Sequence, residues 1–318
     1  MNAVGVLAPS DIIMAVLPAY ILIVLGAVAR RCGLLRNHHD EPVMHVVFHV
    51  MYPCFILDKI LGSEAMRDGA VLGWSFGVGF CELCVGLCVG LLFGSLLRLE
   101  KGNGLRTFAF SVGIQNFGFT ALPIVQALYG AAAVSVLMVH NLGVELSIWT
   151  IGVMLMSNDK KIPWKKLING PAISVVLGLM LVGLRWDVYI QGPIRESMKM
   201  LGTGTFPVAL IITGAVMLDM VKVERPTLKI ALGGTVLRLF IIPMIILAGA
   251  KYLPISTELR QVLIVQSAMP AAMSPLLIAK IYGGRPGIAA QIIVFTTVVS
   301  LLTLPWIISF GSKWVFGN

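Results

Sequence analysis

Apolar runs long enough to cross a lipid bilayer recur along this chain, near 11–31, 42–61, 70–97, 106–130, 131–156, 169–186, 199–220, 228–252, 259–283 and 287–312. A run of about 18 or more apolar residues reads as a spanning helix, because in hydrocarbon every backbone N–H and C=O must be satisfied within the protein. The runs leave no long polar stretch for a domain outside the membrane. The expected fold is therefore an all-α polytopic membrane protein with ten transmembrane helices. Hydrophobic residues make up 58% of the 318 and charged residues 12%, at a mean hydropathy of +0.92, so lipid is the solvent. The first run has Arg30 and Arg31 after it and no basic region before it, the reverse of a cleavable signal peptide.

Orientation follows from the basic residues. With the N-terminus outside, the inward loops hold 15 of them: Arg30, Arg31, Arg36, Arg98, Lys101, Arg106, Lys160, Lys161, Lys165, Lys166, Lys222, Arg225, Lys229, Lys280 and Arg285. Eight fall outside and Arg238 lies within a span, so the positive-inside bias places both termini outside, in a plasma membrane or, in a bacterium, the inner membrane. The net charge of +9 fits basic loops facing anionic lipid and calls for no nucleic-acid partner. Cys81, Cys84 and Cys88 share one face of the third run and read as small packing residues.

The chain also repeats itself. Pro18-Ala19 recurs as Pro171-Ala172 and Tyr129-Gly130 as Tyr282-Gly283, both at an offset of 153 residues; Gly26 matches Gly178 and Pro53 matches Pro207 within one residue of that offset. Each half, 1–156 and 157–318, then holds five spans. An odd number turns the second copy upside down, giving two inverted five-helix repeats as in many secondary transporters, with the substrate near the midplane at interrupted helices.

The interruptions are visible. SVGIQNFGFTALPIVQALYG, residues 111–130, carries Asn116, Gly118, Thr120 and Pro123 in its middle, and its partner VQSAMPAAMSPLLIAKIYG, 265–283, carries Pro270, Ser274 and Pro275. Proline removes an N–H and frees carbonyls, so the fourth and ninth spans are expected to break. Two facing breaks make a polar pocket whose half-helix N-termini suit a carboxylate, with Asn116, Thr120 and Ser274 as neutral donors.

These residues resemble the auxin efflux carrier family, which includes bacterial organic-anion carriers and the related plant PIN-FORMED auxin exporters. Asn116-Phe-Gly118-Phe-Thr120-Ala-Leu-Pro123 with Tyr129-Gly130 is similar to its fourth span, and Met269-Pro270-Ala-Ala-Met-Ser274 with Ala279 and Tyr282-Gly283 to its ninth; FHVMYP at Phe48–Pro53 and the junction LINGPAISVVLGL are similar too. The resemblance implies crossed fourth and ninth spans, a scaffold of spans 1, 2, 6 and 7, a moving transport domain of spans 3–5 and 8–10, an organic-anion substrate at the crossing, and a homodimer. Ser274 and His49 stand where the family often has Asn, and the loop between spans five and six is short, as in microbial-type carriers.

Glu82, Glu145 and Arg238 fall near mid-depth, where a charge needs a partner. Arg238 is expected to pair with Glu82 or Glu145, or to bind several carbonyls. The pairs either hold helix register or titrate and couple a proton to the substrate. His140, Asn141 and Glu145 in VHNLGVELSIW form a candidate proton relay, and His49 is a packing histidine or a pH sensor.

The expected function is a secondary transporter of a small carboxylate, such as a dicarboxylate or an auxin-like acid, working by alternating access in an elevator-like manner. It requires no cofactor or metal, and proton or sodium coupling is open. The alternatives are a sodium-coupled symporter resembling bile-acid carriers, and a passive channel or receptor. Neither paired aspartates, the metalloprotease pattern H-E-x-x-H nor an ATP-binding loop occurs, which argues against an enzyme or an ATP-driven pump.

Overall fold

The computed structural model describes residues 7–99, 102–157, 168–221 and 227–317. Lys101, Lys160, Lys161, Lys165, Lys166, Lys222 and Arg225, seven of the basic residues behind the expected orientation, lie outside the described residues. Among the described residues the regular elements are helices: α1 (Pro9–Arg31), α2 (Asn37–Ile60), α3 (Gly69–Leu96), α4 (Asn103–Gly113), α5 (Ala121–Ser157), α6 (Gly170–Gly183), α7 (Pro193–Val221), α8 (Leu228–Tyr252), α9 (Thr257–Ala268), α10 (Ser274–Ile281) and α11 (Pro286–Phe316). Seven of them, α1, α2, α3, α5, α7, α8 and α11, are each long and apolar enough to cross a bilayer.

The difference from the ten runs lies at three places. The run 106–130 is divided: α4 stops at Gly113, and α5 starts at Ala121 and continues through the expected fifth run past a bend at Gly130 (φ 80°). The run 259–283 is divided between α9 and α10. The run 169–186 becomes α6, only 14 residues long. Asn169 caps α6 by accepting from the Ala172 amide at 2.9 Å, and Pro171 sits in its first turn, where a missing N–H costs nothing.

Helix α3 runs along α5 and α4, α1 along α7, and α2 against α6 and α7, while α9 is enclosed by α5, α8 and α11. Close approach of α3 and α5 depends on Gly79 and Gly143. A Cβ on Gly79 would strike the His140 carbonyl, and one on Gly143 the Phe76 carbonyl. Ion pairs tie α2 to α7 at both ends. Buried Arg30 donates to Asp40 Oδ1 at 2.6 Å and lies 3.2 Å from Asp219, and Arg195 donates to Asp58 at 2.9 Å. Apolar side chains such as Met14, Leu17 and Ile21 on α1 and Ile173 and Met180 on α6 face outward, as lipid contact requires. Cys81 and Cys88 also face outward, so these thiols do not fill a helix interface as expected; the glycines of α3 take that role.

Candidate functional site

The two breaks lie side by side. Asn116 donates its backbone N–H to the Pro270 carbonyl at 2.7 Å and Ala272 its own to the Ile114 carbonyl at 3.0 Å, which makes Gln115 and Ala271 an isolated antiparallel bridge. Groups that would stand unpaired in hydrocarbon thus satisfy one another. The Ala271 amide donates to Thr296 Oγ1 on α11 at 3.1 Å, fixing the second break from behind.

The side chains singled out in the sequence fall around this junction. Asn116 Nδ2 donates to Thr120 Oγ1 at 2.9 Å, and the Gly118 carbonyl accepts the first amide turn of α5 from Leu122 at 3.0 Å. Pro123 sits in the opening turn of α5, Ser274 and Pro275 in that of α10, and neither helix has a side-chain cap. Among the described residues Ser274 Oγ is buried with no hydrogen-bond partner. A narrow cavity of about 10 Å³, room for about one water, lies at the junction. Asn116, Thr120, Pro270, Ala271 and Met273 line it from the breaks, Tyr20 and Ile23 from α1, Thr213 and Met217 from α7, and Ile293 and Thr297 from α11.

Behind the junction lies a charged cluster, in which Arg238 takes the carbonyl alternative of the sequence expectation. Among the described residues Arg238 makes no ion pair with Glu82 or Glu145. It is fully buried and donates from Nε to the Met269 carbonyl at 3.0 Å and from Nη2 to the Gln266 carbonyl at 3.3 Å. The reason is the end of α9, where the Met269 carbonyl lies past the helix and the Gln266 carbonyl receives the capping Met269 amide at 3.2 Å with room for a second donor, and a π turn at Leu237–Ile241 that presents Arg238 toward them. Glu82 instead meets His140, Oε2 to Nε2 at 2.8 Å. His140 Nδ1 lies 3.4 Å from Asn141 Oδ1, and Asn141 Nδ2 donates to the Phe117 carbonyl at 3.0 Å. Glu145 Oε1 accepts from Asn169 at 2.5 Å, and Tyr52, bonded to the Asn141 side chain, lies between Asn141 and Glu145.

Three contributors escaped sequence reasoning. Gln266 donates to the Phe117 carbonyl at 3.4 Å and faces Asn141 Oδ1 at 3.5 Å, and Gln115 is buried in the bridge. A glutamine four residues before Pro270 in an otherwise apolar run was the available signal. The third is the wall made by Tyr20, Thr213 and Thr297, residues too ordinary in membrane helices to stand out. Conversely, Gly73-Trp-Ser75-Phe-Gly77 spells the hydrolase pattern G-x-S-x-G, but Ser75 lies mid-helix with its hydroxyl given to the Val71 carbonyl, and the pattern needs a strand-turn-helix setting.

His49 donates or accepts at the His45 carbonyl (2.9 Å), with the two imidazoles stacked 4.0 Å apart. They flank an open notch of about 260 Å³, shared with Glu41, Phe48, Asn169 and Gly170.

Helices enclosing a polar, partly charged centre define a multi-pass membrane protein. The chain belongs to the membrane transport protein family, that of the auxin efflux carriers, whose model matches residues 11–162 and again 157–308. An uncharacterized transporter of Methanocaldococcus jannaschii is 24% identical over 311 residues, 93% of this chain and 96% of the relative. Auxin efflux carrier component 7 of Arabidopsis thaliana is 30% identical over 152 residues, 46% of this chain but 25% of the plant protein. Auxin efflux carrier component 2 of rice is 28% identical over 141 residues, 43% of this chain and 22% of the rice protein.

Proposed function

We propose that this family member is a secondary carrier of a small organic anion, a carboxylate, working by alternating access with an elevator-like movement. The observation that carries the reading is the junction cavity, which both breaks line together with α1, α7 and α11. Two uncapped helix N-termini, Asn116 and Thr120 offer N–H and O–H donors to an anion, and no cationic side chain is among the lining residues. The family and the auxin carriers among its relatives support a transported small molecule.

In this reading the chain holds ten spans as two inverted repeats, 1–156 and 157–318, with crossed fourth and ninth spans. Spans 1, 2, 6 and 7 form the scaffold, and the ion pairs that join Arg30 of α1 to Asp40 of α2 and Asp219 of α7, and Arg195 of α7 to Asp58 of α2, support these helices acting as one body. Spans 3–5 and 8–10 carry the substrate. The protein is a homodimer in a plasma membrane with both termini outside; labelling of a cysteine placed after Asn318 from the cytoplasmic side alone would refute that orientation.

Binding measurements test the site. Asn116→Ala should weaken a carboxylate about ten- to 150-fold, the loss of one hydrogen bond to a charged group, with the fold intact. Neutral amide analogues should bind poorly to wild type. Equal affinity of acid and amide for both proteins would place the site elsewhere, and non-saturable flux without counterflow would make the protein a channel.

A further inference from the structure

Most of the hydroxyl protons around the junction cavity are already committed. Ser300 Oγ donates to the Thr297 carbonyl at 2.7 Å, and so accepts on its other side from Tyr20 Oη, 2.9 Å away. Thr297 Oγ1 donates to the Ile293 carbonyl at 2.7 Å. On the side of the breaks, Asn116 gives one of its two amide protons to Thr120 Oγ1 at 2.9 Å, which leaves the other amide proton and the Thr120 hydroxyl proton for a ligand. Across the cavity stands Thr213 of α7, half-buried and, among the described residues, without a hydrogen-bond partner. Its hydroxyl can both donate and accept.

Thr213 is also held in place. A Cβ on Gly26 of α1 would strike the Ile211 carbonyl, and one on Gly214 of α7 the Ile23 carbonyl, so the two backbones touch on either side of Thr213. At about 10 Å³ the cavity must widen to take an acid. Met217 and Met273, unbranched and adaptable, are lining side chains that can withdraw, whereas Thr213 cannot retreat without parting α1 from α7. An acid gripped at its carboxylate by the breaks therefore turns the rest of its chain toward a fixed hydroxyl. A hydrocarbon tail closed in against that hydroxyl leaves it unpaired; an oxygen there satisfies it.

We propose that Thr213 is a specificity-determining residue: its hydroxyl hydrogen-bonds an oxygen borne by the tail of the carried acid, so that the protein selects hydroxy and oxo acids over hydrocarbon acids of the same shape. The proposal rests on the organic-anion reading above and adds the second polar group of the substrate and the residue that reads it. A site that hydrogen-bonds a substrate oxygen rejects the analogue lacking it more strongly than an apolar pocket rejects an extra methyl group, because the rejection comes from the group left unpaired in the protein.

The test measures binding to the full chain in nanodiscs of acid pairs that differ only by a hydroxyl in place of a methyl group: lactate with 2-methylpropanoate, 3-hydroxybutanoate with 3-methylbutanoate, and 4-hydroxybutanoate with pentanoate. The pairs set the oxygen at successive distances from the carboxylate. Wild type should prefer the hydroxylated member of at least one pair by about five- to 150-fold, the effect of leaving a buried hydroxyl unpaired. Thr213→Val, which keeps the shape of the side chain, should erase that preference by weakening the hydroxylated acid while the methyl acid binds as well as before or better; Thr213→Ser should retain the preference. No preference in any pair, a preference that survives Thr213→Val, or equal weakening of both members by Thr213→Val overturns the role of Thr213 and leaves the carrier reading standing. Binding by none of the acids overturns the anion reading, and the proposal with it.

Discussion

Arg238 shows how a buried cation can be held by neutral groups alone. Its guanidinium spans two carbonyls at the end of α9, a fork that a lysine ammonium cannot reproduce. Removing it leaves the Met269 carbonyl unpaired, at roughly 1–3 kcal/mol, strips the Gln266 carbonyl of its second donor, and leaves the Glu82 charge without its nearby cation. Arg238→Met should therefore lower the unfolding midpoint in detergent strongly, and Arg238→Lys should recover only part of the loss. Equal stability of Arg238→Lys and wild type would mean that charge, not the fork, holds the break. Its partner could not be chosen from the sequence, because carbonyl acceptors leave no mark on residue identity. Distance to the span ends singled out Glu82, Glu145 and Arg238 in the sequence; which carboxylate met which base depended on helix rotation and on Gly79 and Gly143.

At the level of elements, the breaks were the most readable feature, since Pro123, Pro270 and Pro275 remove donors that a continuous helix needs. Their mutual support was not readable, because the bridge joins Gln115 to Ala271 by backbone alone. Helix contact is similarly backbone-driven at α3 and α5. Gly143→Ala would force a methyl into the Phe76 carbonyl and should destabilise by roughly 1–3 kcal/mol, separating Glu82 from His140 as it does so. Gly77→Ala, on the facing helix α3, meets nothing within 4 Å and should be tolerated, which a thermal-unfolding comparison of the two variants reads directly. The short α6 was legible only in part: NGP marks its start, yet its length falls well below that of the apolar run around it.

For the whole molecule, the proposed movement of the transport spans against the scaffold has hydrogen bonds to break. Ser135 on α5 donates to the Lys59 carbonyl of α2 at 2.6 Å, and Tyr20 on α1 meets Ser300 on α11 at 2.9 Å. A cross-link between Lys59→Cys and Ser135→Cys should abolish counterflow and reduction should restore it; full transport by the cross-linked protein would refute an elevator. Such movement needs less travel than the bilayer thickness suggests. Fourteen residues of α6 rise about 21 Å, against a hydrocarbon core of about 30 Å. An open notch lined by Asn169 and Gly170 lies at the start of α6. With electrolyte in that notch, the transmembrane voltage would fall across a thinner insulator, and any charge displaced within that layer would experience a correspondingly steeper electric field.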